Sequence, residues 1–325
     1  MKKALITGPF GQDGSYLCEI LIEKGYEVYG IVGKDSSENS EKIKLYLANK
    51  SIKPKICLCN IHQYDEVLDA IRNIKPDEIY HLAAKHYSSE MSSYTNDRLL
   101  YVDNVTATFN ILSALKECKY STNVVLAGSC LMFDGSDTYL QDEKTPFKSV
   151  SFYGLAKITE QKLAEFFRNM GVFVSMAILY NHESPRRSSN FVTKKIVRNL
   201  VQICNGEQKD FSLGCVDVTK DWGYAKDYAY GMWLMAQADT PTDYILSTGT
   251  KRTIRDFIDL ASSELGIDNW ANYVNIDNQL LRRNNTTHLV GNPSLAKEKL
   301  GWNHTIHFEE LVTLIVQCEL SETLD

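Results

Sequence analysis

The sequence predicts an α/β fold, a Rossmann-type doubly wound parallel sheet with a smaller, mainly helical C-terminal domain. Three observations carry this. Short apolar runs bounded by turn residues alternate with longer runs of helical period, as in successive βαβ units. The first apolar run, Lys3-Ala4-Leu5-Ile6-Thr7, leads straight into glycines spaced G-x-x-G-x-x-G at Gly8, Gly11 and Gly14. The texture then changes at Asn181, where a long polar loop breaks the alternation.

Taken in order, Lys3–Thr7 is a buried strand, and the glycine turn after it opens a helix over Ser15–Lys24. Glycines at such a turn allow close backbone approach, and the helix N-terminus attracts a pyrophosphate. Glu27–Val32 is the second strand. An NAD-preferring site places an acid near its end for the ribose diol. Here Gly33 stands there, followed by Lys34-Asp35-Ser36-Ser37; the cation and hydroxyls favour a 2′-phosphate, hence NADP, while Asp35 leaves NAD open. Lys55–Leu58 is a strand, Tyr64–Asn73 a helix, and Asp77–Leu82 a strand ending in Ala83-Ala84. Val102–Cys118 is a helix carrying Asn104, and Asn123–Ala127 the strand after it.

Gly128–Gly135 then falls at the carboxyl edge of the sheet, where ligands of such folds bind. It runs Ser129-Cys130-Leu131-Met132-Phe133-Asp134, and the helix Phe152–Phe167 follows. Tyr153 and Lys157 are four apart on one face of that helix. An ammonium beside a phenol favours the phenolate, so Tyr153 could take a proton from a sugar hydroxyl while a cofactor takes the hydride. An ordinary amphipathic helix start has the same spacing. Val172–Leu179 is another strand.

In the polar loop Asn181–Asn190 the adjacent Arg186 and Arg187 suit a phosphorylated ligand, as they would suit a solvated basic loop. The helix Phe191–Asn205 follows, another helix opens at Gly223–Tyr228, and Asp243–Ser247 is a late strand. Thr253–Asp325 is mostly helical, with turns at Gly266, Gly291-Asn292-Pro293 and Gly301. This places a dinucleotide-binding domain at 1–180, with 221–248 returning to it, and a substrate domain at 181–220 and 249–325.

The 35 basic and 41 acidic residues give a net charge of −6, which argues against a general nucleic-acid footprint. No apolar run approaches a membrane span, and Met1-Lys2-Lys3 runs into glycines too soon for a signal peptide. Eight scattered cysteines fit buried thiols in a reducing cytoplasm, and no histidines are spaced as metal ligands, so no metal is expected.

Longer blocks carry a resemblance. Gly11-Gln12-Asp13-Gly14-Ser15-Tyr16-Leu17, Asn181-His182-Glu183-Ser184-Pro185-Arg186-Arg187, Asp221-Trp222-Gly223-Tyr224-Ala225-Lys226-Asp227-Tyr228 and Ala296-Lys297-Glu298-Lys299-Leu300-Gly301-Trp302 resemble the extended short-chain dehydrogenase/reductases, and within them the GDP-mannose 4,6-dehydratases. The resemblance spans nearly the whole chain. It implies an NADP-binding domain and a smaller domain for a GDP-sugar. By position, Gly8, Gly11, Gln12, Asp13 and Gly14 would line the dinucleotide, with Lys34, Ser36, Asn60, Ala83 and His182; Asn60 replaces an acid that commonly touches adenine. Tyr153 and Lys157 would be the catalytic pair and would also touch the cofactor. Asn181, Arg187, Lys194, Lys220 and Arg282 fall where the family binds the nucleotide-sugar; Lys220 stands for an arginine, and Arg283-Asn284-Asn285 departs from the family's Pro-Thr-Glu.

The largest departure lies between the strand and the catalytic helix. The family carries Thr or Ser, one residue, then Glu, at the positions of Cys130, Leu131 and Met132. Dehydration after oxidation at C4 needs a base for the C5 proton and an acid for the C6 hydroxyl, and one carboxyl group can do both in turn. Met132 can do neither. Cys130 and Ser129 remain as hydrogen-bonding groups, and Asp134, Lys85 and His86 are the nearby substitutes for the acid. Three functions follow: a GDP-sugar 4,6-dehydratase with a rearranged acid/base, a C4 oxidoreductase or epimerase on the same substrate class, and a non-catalytic binder of NADP and GDP-sugar. Retention of Tyr153 and Lys157 favours an enzyme. A homodimer or homotetramer is expected, a dimer first, because Gly33–Ser37 lacks the arginines of the family's inter-subunit cofactor loop.

Overall fold

A computed structural model describes residues 1–33, 37–86, 94–277 and 288–322. Lys34, Asp35 and Ser36, and Arg282 with residues 283–285, lie outside the described residues.

The first half alternates as the sequence predicts: β1 (Lys3–Thr7), α1 (Gln12–Glu23), β2 (Glu27–Val32), α2 (Glu38–Asn49), β3 (Lys55–Leu58), α3 (Tyr64–Ile74), β4 (Glu78–His81), α4 (Tyr94–Cys118) and β5 (Asn123–Ala127). A short β6 (Leu140–Gln141) precedes α5 (Phe152–Asn169) and β7 (Val174–Leu179). Beyond it lie β8 (Asn181–Glu183), α6 (Val192–Cys204), β9 (Phe211–Leu213), β10 (Thr219–Lys220), β11 (Trp222–Tyr224), α7 (Ala225–Ala236), β12 (Tyr244–Leu246), β13 (Arg252–Thr253) and α8 (Ile254–Glu264). The chain ends with β14 (Val274–Ile276), β15 (Val290–Gly291), α9 (Ser294–Leu300) and α10 (Phe308–Leu320).

Seven strands form one parallel sheet in the order β12-β7-β5-β4-β1-β2-β3. The strand order reverses between β1 and β4, so a crevice opens at their carboxyl ends. Strands β4 and β7 are buried along their whole length because helices cover both faces. One face packs its core under α3, α4 and α5, with Val67, Ile71, Ile111 and Leu115 among its residues. The other packs under α1, α2, α7 and α9, around Leu17, Leu21, Met232 and Trp302. Helix α2 escaped the sequence patterns because it buries only Ile43 and Leu47, one turn apart, too little to produce a helical period.

A third core belongs to the C-terminal part and joins α6, α8 and α10 to β9 and β14 through Ile196, Phe257, Val274 and Leu311. Residues 294–302 do not join it. Ala296 and Trp302 pack instead with α7 against the sheet, and Trp302 Nε1 donates to the Asp227 carbonyl at 2.8 Å. Two strand pairs knit the halves: β8 runs parallel to β11, and β6 to β15. All eight cysteines are free. Among the described residues no helix is long and apolar enough to cross a membrane, and no cluster of His, Cys, Asp and Glu could hold a metal ion.

Candidate functional site

The switch point of the sheet is fixed by one hydroxyl. Thr7 Oγ1, at the end of β1, accepts from the backbone N–H groups of Leu82 and Ala83 at 3.0 Å each and lies 2.8 Å from His81 Nδ1. With both lone pairs engaged, its only proton goes to Nδ1, so His81 is neutral. Burial, helped by the nearby charge of Lys157, depresses its pKa to about 3.

The glycine turn follows. Gly8 has φ +76°, a conformation that disfavours a side chain, and a Cβ there would touch the backbone of Ala83 at 3.4 Å. A Cβ on Gly14 would lie 2.1 Å from the Gly8 carbonyl oxygen, so α1 can start here only with glycine. Gly11 caps α1 without a side-chain hydrogen bond, which leaves first-turn N–H groups facing out of the helix end. Gln12 is tied down: it donates to the His182 carbonyl at 3.1 Å and accepts from Ser184 Oγ at 2.9 Å. Asp13 accepts from His182 Nε2 at 3.1 Å, while His182 Nδ1 donates to the Tyr180 carbonyl at 2.7 Å. A carbonyl and a carboxylate can only accept, so both ring nitrogens carry hydrogen. Burial opposes charge on both partners, but their mutual attraction wins, raising the pKa of His182 and lowering that of Asp13.

One cavity runs from this edge toward α6. Ser129, Cys130, Tyr153 and Lys157 line it together with Asp13 and His182. Its outer wall includes Asn181, Arg187 and Lys220, all expected from sequence, and also Lys195 and Phe191. Lys194 is a correction: it is buried on the far side, paired with Glu319 of α10 at 2.5 Å, and Lys195 lines the cavity instead. Asn60 sits past the end of β3, its side chain accepting from the His62 N–H, and does not line the cavity. Arg187 is signalled by its own neighbours, since Glu183, one turn before it in number, faces it at 3.3 Å and accepts from Thr193 at 2.6 Å.

Tyr153 and Lys157 lie together as their spacing predicts, with the Lys157 ammonium 5.7 Å from the centre of the Tyr153 ring. Their electrostatics differ from expectation. Lys157 donates at 3.0 Å to Glu160, which also accepts from Thr108 at 3.0 Å. Burial raises the phenol pKa, Lys157 lowers it, Glu160 adds a raising influence, and the net shift is upward. Glu160 was legible as a residue three beyond Lys157 on the same helix.

The segment before α5 also needs correcting. Cys130–Phe133 forms a single 3₁₀ turn, capped by Ser129, whose Oγ accepts from the Leu131 N–H at 3.2 Å. Met132 is 0% exposed and packed in the core under α4 and α5, whereas Leu131 lines the cavity. The position facing the cavity is therefore Leu131, and neither residue carries a carboxyl group. Cys130 points its thiol at Asn181 Oδ1, 3.9 Å away, and burial pushes its pKa up to about 11. Of the three substitutes, Asp134 is held by the Val150 N–H at 2.7 Å and Ser151 Oγ at 2.8 Å, and Lys85 pairs with Asp103. Only His86 lines the cavity. Its ring packs edge-on to Tyr153, 4.6 Å between centres, and parallel to Phe191 at 5.8 Å. The Arg187 guanidinium covers Phe191 at 3.5 Å. Asn104 holds the chain just before His86, exchanging two hydrogen bonds with the backbone of Lys85.

With this geometry in hand, comparison with known proteins is specific. The family model for GDP-mannose 4,6 dehydratase matches residues 5–315. GDP-mannose 4,6 dehydratase 1 of Arabidopsis thaliana is 37% identical over 334 residues, 98% of this chain and 90% of that protein. The Homo sapiens GDP-mannose 4,6 dehydratase is 36% identical over 343 residues, 98% of this chain and 91% of its own. Among solved structures, a UDP-glucose 4-epimerase of Thermotoga maritima with UDP-glucose superposes with a TM-score of 0.84 at 20% identity, covering 99% of this chain and 100% of that one. RMD from Pseudomonas aeruginosa complexed with NADPH does so at 0.77 and 18%, covering 99% and 100%. These two share the fold. The relatives share far more, and the chain belongs to the GDP-mannose 4,6-dehydratase family of nucleotide-sugar-modifying enzymes.

Proposed function

We propose that the protein is an NADP-dependent 4,6-dehydratase of a GDP-hexose. The observation that supports it most is the Tyr153–Lys157 pair lining a cavity at the switch point of the sheet, in a chain matched along its length by this family. The residues present fit a dinucleotide: a Cβ on Gly11 would meet only the Gly8 carbonyl, at 3.4 Å, so the turn leaves room above an uncapped helix start for a pyrophosphate. Bound there, a nicotinamide dinucleotide supplies a hydride acceptor for the sugar. Gly8, Gly11 and Gly14 would hold it, with Ala83 beside Gly8. His182 and Asp13 brace the edge.

For the sugar nucleotide, Arg187, Lys195 and Lys220 supply positive charge on the outer wall, suited to a diphosphate. Tyr153, as its phenolate, accepts the C4 hydroxyl proton, and the Lys157 ammonium favours that phenolate beforehand. The sheet and its helices would carry the cofactor, and the lobe of α6, α8 and α10 the nucleotide.

A second reading, C4 epimerisation or oxidation without loss of water, is favoured by one observation: no residue from Ser129 to Phe133 carries a carboxyl group. We also infer a homodimer. Leu99, Val102 and Phe109 on α4 and Leu155 and Phe166 on α5 are exposed on two helices bonded side by side through Tyr101 and Thr159. A two-fold contact between copies would cover the same apolar face on each.

The deciding experiment incubates the purified protein with NADP and GDP-mannose, then with other GDP-hexoses, in deuterated water and weighs the products. Loss of one water with deuterium at C5 is the expected result. An isomer of unchanged mass, for epimerisation, or a product lighter by two hydrogens, for oxidation, would establish the second reading instead.

A further inference from the structure

We propose that His86 is the proton carrier of the elimination, in place of the family's carboxyl group; the proposal rests on the dehydratase reading above. Once C4 is a ketone, the C5 hydrogen is acidic and the C6 hydroxyl is the leaving group. A single side chain serves both if it titrates near neutrality and reaches two adjacent carbons.

The cavity wall offers few groups with that chemistry. Its two carboxylates, among the described residues, are Asp13 and Glu183. Asp13 is bound to the His182 imidazolium, and Glu183 to Thr193 and Arg187. Lys157 is ion-paired with Glu160, and His182 has both nitrogens engaged. The Cys130 thiol, its pKa near 11, is a poor base at neutral pH. Tyr153 is committed to the C4 oxygen.

His86 differs in place. It is an imidazole on the wall of the cavity, and its ring packs against that of Tyr153 with centres 4.6 Å apart and an interplanar angle of 83°. In a sugar whose C4 hydroxyl sits at the Tyr153 oxygen, C5 and C6 lie one and two bonds from C4, within the reach of a ring that packs directly on Tyr153. Phe191, at 17° to the imidazole plane and itself covered by Arg187, also packs on the ring. Arg187, proposed for the diphosphate, is thus connected through Phe191 and His86, by one cation–π and two ring contacts, to Tyr153, which takes the C4 hydroxyl proton.

The step balances without a further reactant. An imidazole nitrogen takes the proton from C5, and that electron pair becomes the C5–C6 double bond conjugated with the C4 ketone. The C6–O bond breaks, and the departing hydroxide takes the proton back from the imidazolium. Water and a 4-keto-5,6-ene form with no net oxidation or reduction in this step; return of the hydride to C6 and of a solvent proton to C5 would then give the 4-keto-6-deoxy sugar, one water lighter than the substrate and labelled at C5 in deuterated water.

The test uses the full chain with NADP and GDP-mannose in deuterated water, comparing wild type, His86→Phe and His86→Gln. His86→Phe keeps the aromatic packing and removes the proton carrier. Water loss and C5 deuteration should fall ~100-fold or more in both variants, while reduced nicotinamide, read by its absorbance, still accumulates when substrate is added. Unchanged water loss in either variant overturns the proposal. Loss of nicotinamide reduction along with water loss in both variants also overturns it, assigning the ring to the packing of Tyr153. A wild type that returns only an isomer of unchanged mass overturns the dehydratase reading itself.

Discussion

Lys157 donates to Glu160 at 3.0 Å with side chains 3% and 1% exposed, so the ammonium next to Tyr153 already has a buried counter-charge. Glu160→Gln removes that counter-charge. It should move the acid limb of kcat/KM against pH toward lower pH, because Glu160 is among the influences that raise the Tyr153 pKa. It should also cost about 3 kcal/mol of stability, since a buried ammonium loses its partner. A pH–rate profile and a denaturant titration measure both; an unmoved acid limb would separate Glu160 from the phenol.

Tyr153→Phe should lower turnover by about 10³-fold while leaving cofactor affinity nearly as in wild type, because the ring stays and only the proton acceptor leaves. Product analysis and a cofactor-binding titration check the two halves. Turnover within a few-fold of wild type would remove Tyr153 from the chemistry.

The two positions in the 3₁₀ turn should behave oppositely. Met132→Glu places a carboxylate in the sealed core under α4 and α5 and should cost about 3 kcal/mol or more. Leu131→Glu places it on the cavity wall, should fold as wild type does, and should raise water loss if the missing carboxyl group limits elimination. Thermal melts of both, with mass analysis of products, read the contrast. Equal stability of the two variants would contradict the orientation of the turn.

This contrast shows what the sequence could and could not convey. The alternation of strands and helices, the glycine turn and the Tyr153–Lys157 spacing are local patterns, and each maps onto a local element. The facing of Leu131 and Met132 is decided by a single tight turn that no periodicity encodes. Lys194 and Lys195 are adjacent cations on one helix, and only tertiary packing sends one to Glu319 and the other to the cavity. Helix α2 was invisible because its outward face is polar and its inward face is two residues wide. Its N-terminus is at least marked by Ser37, which accepts from the Ser40 N–H.

The Asp13–His182 pair predicts a pH dependence of stability. His182 has a folded pKa above its unfolded value, so its contribution is fully present below about pH 6.5 and is lost as pH rises through the folded value. Asp13 has a folded pKa below its unfolded value, so its contribution is present above about pH 4 and is lost as pH falls through the folded value. The stability lost in His182→Asn should therefore be greatest near pH 5–6, between the two unfolded values, and smaller at alkaline pH. Melting temperatures of both proteins across that range test it; a constant difference would show the pair to be uncharged.

The exposed face of α4 and α5 predicts an assembly. Phe109 and Phe166 are 48% and 58% exposed, and a charge at either would oppose burial against a second copy. Phe109→Glu with Phe166→Glu should halve the mass measured in solution while leaving the melting transition of the chain in place. A wild type that is monomeric at high concentration would rule the contact out.

Arg186 binds the two parts of the molecule more tightly than their separate cores suggest. Its guanidinium pairs with Glu19, lies over the rings of Tyr16 at 3.9 Å and Tyr46 at 4.7 Å, and donates to Ser15 Oγ at 3.1 Å; its carbonyl accepts from Asn39. Helices α1 and α2 thus close around a residue from the second half. A fragment ending before Arg186 would leave Glu19 without its cation and two tyrosines without their cover, and it would also lack β12 at the sheet's edge. The N-terminal half is not a detachable module: the chain should melt in one cooperative transition, and a partner protein could not borrow that half alone.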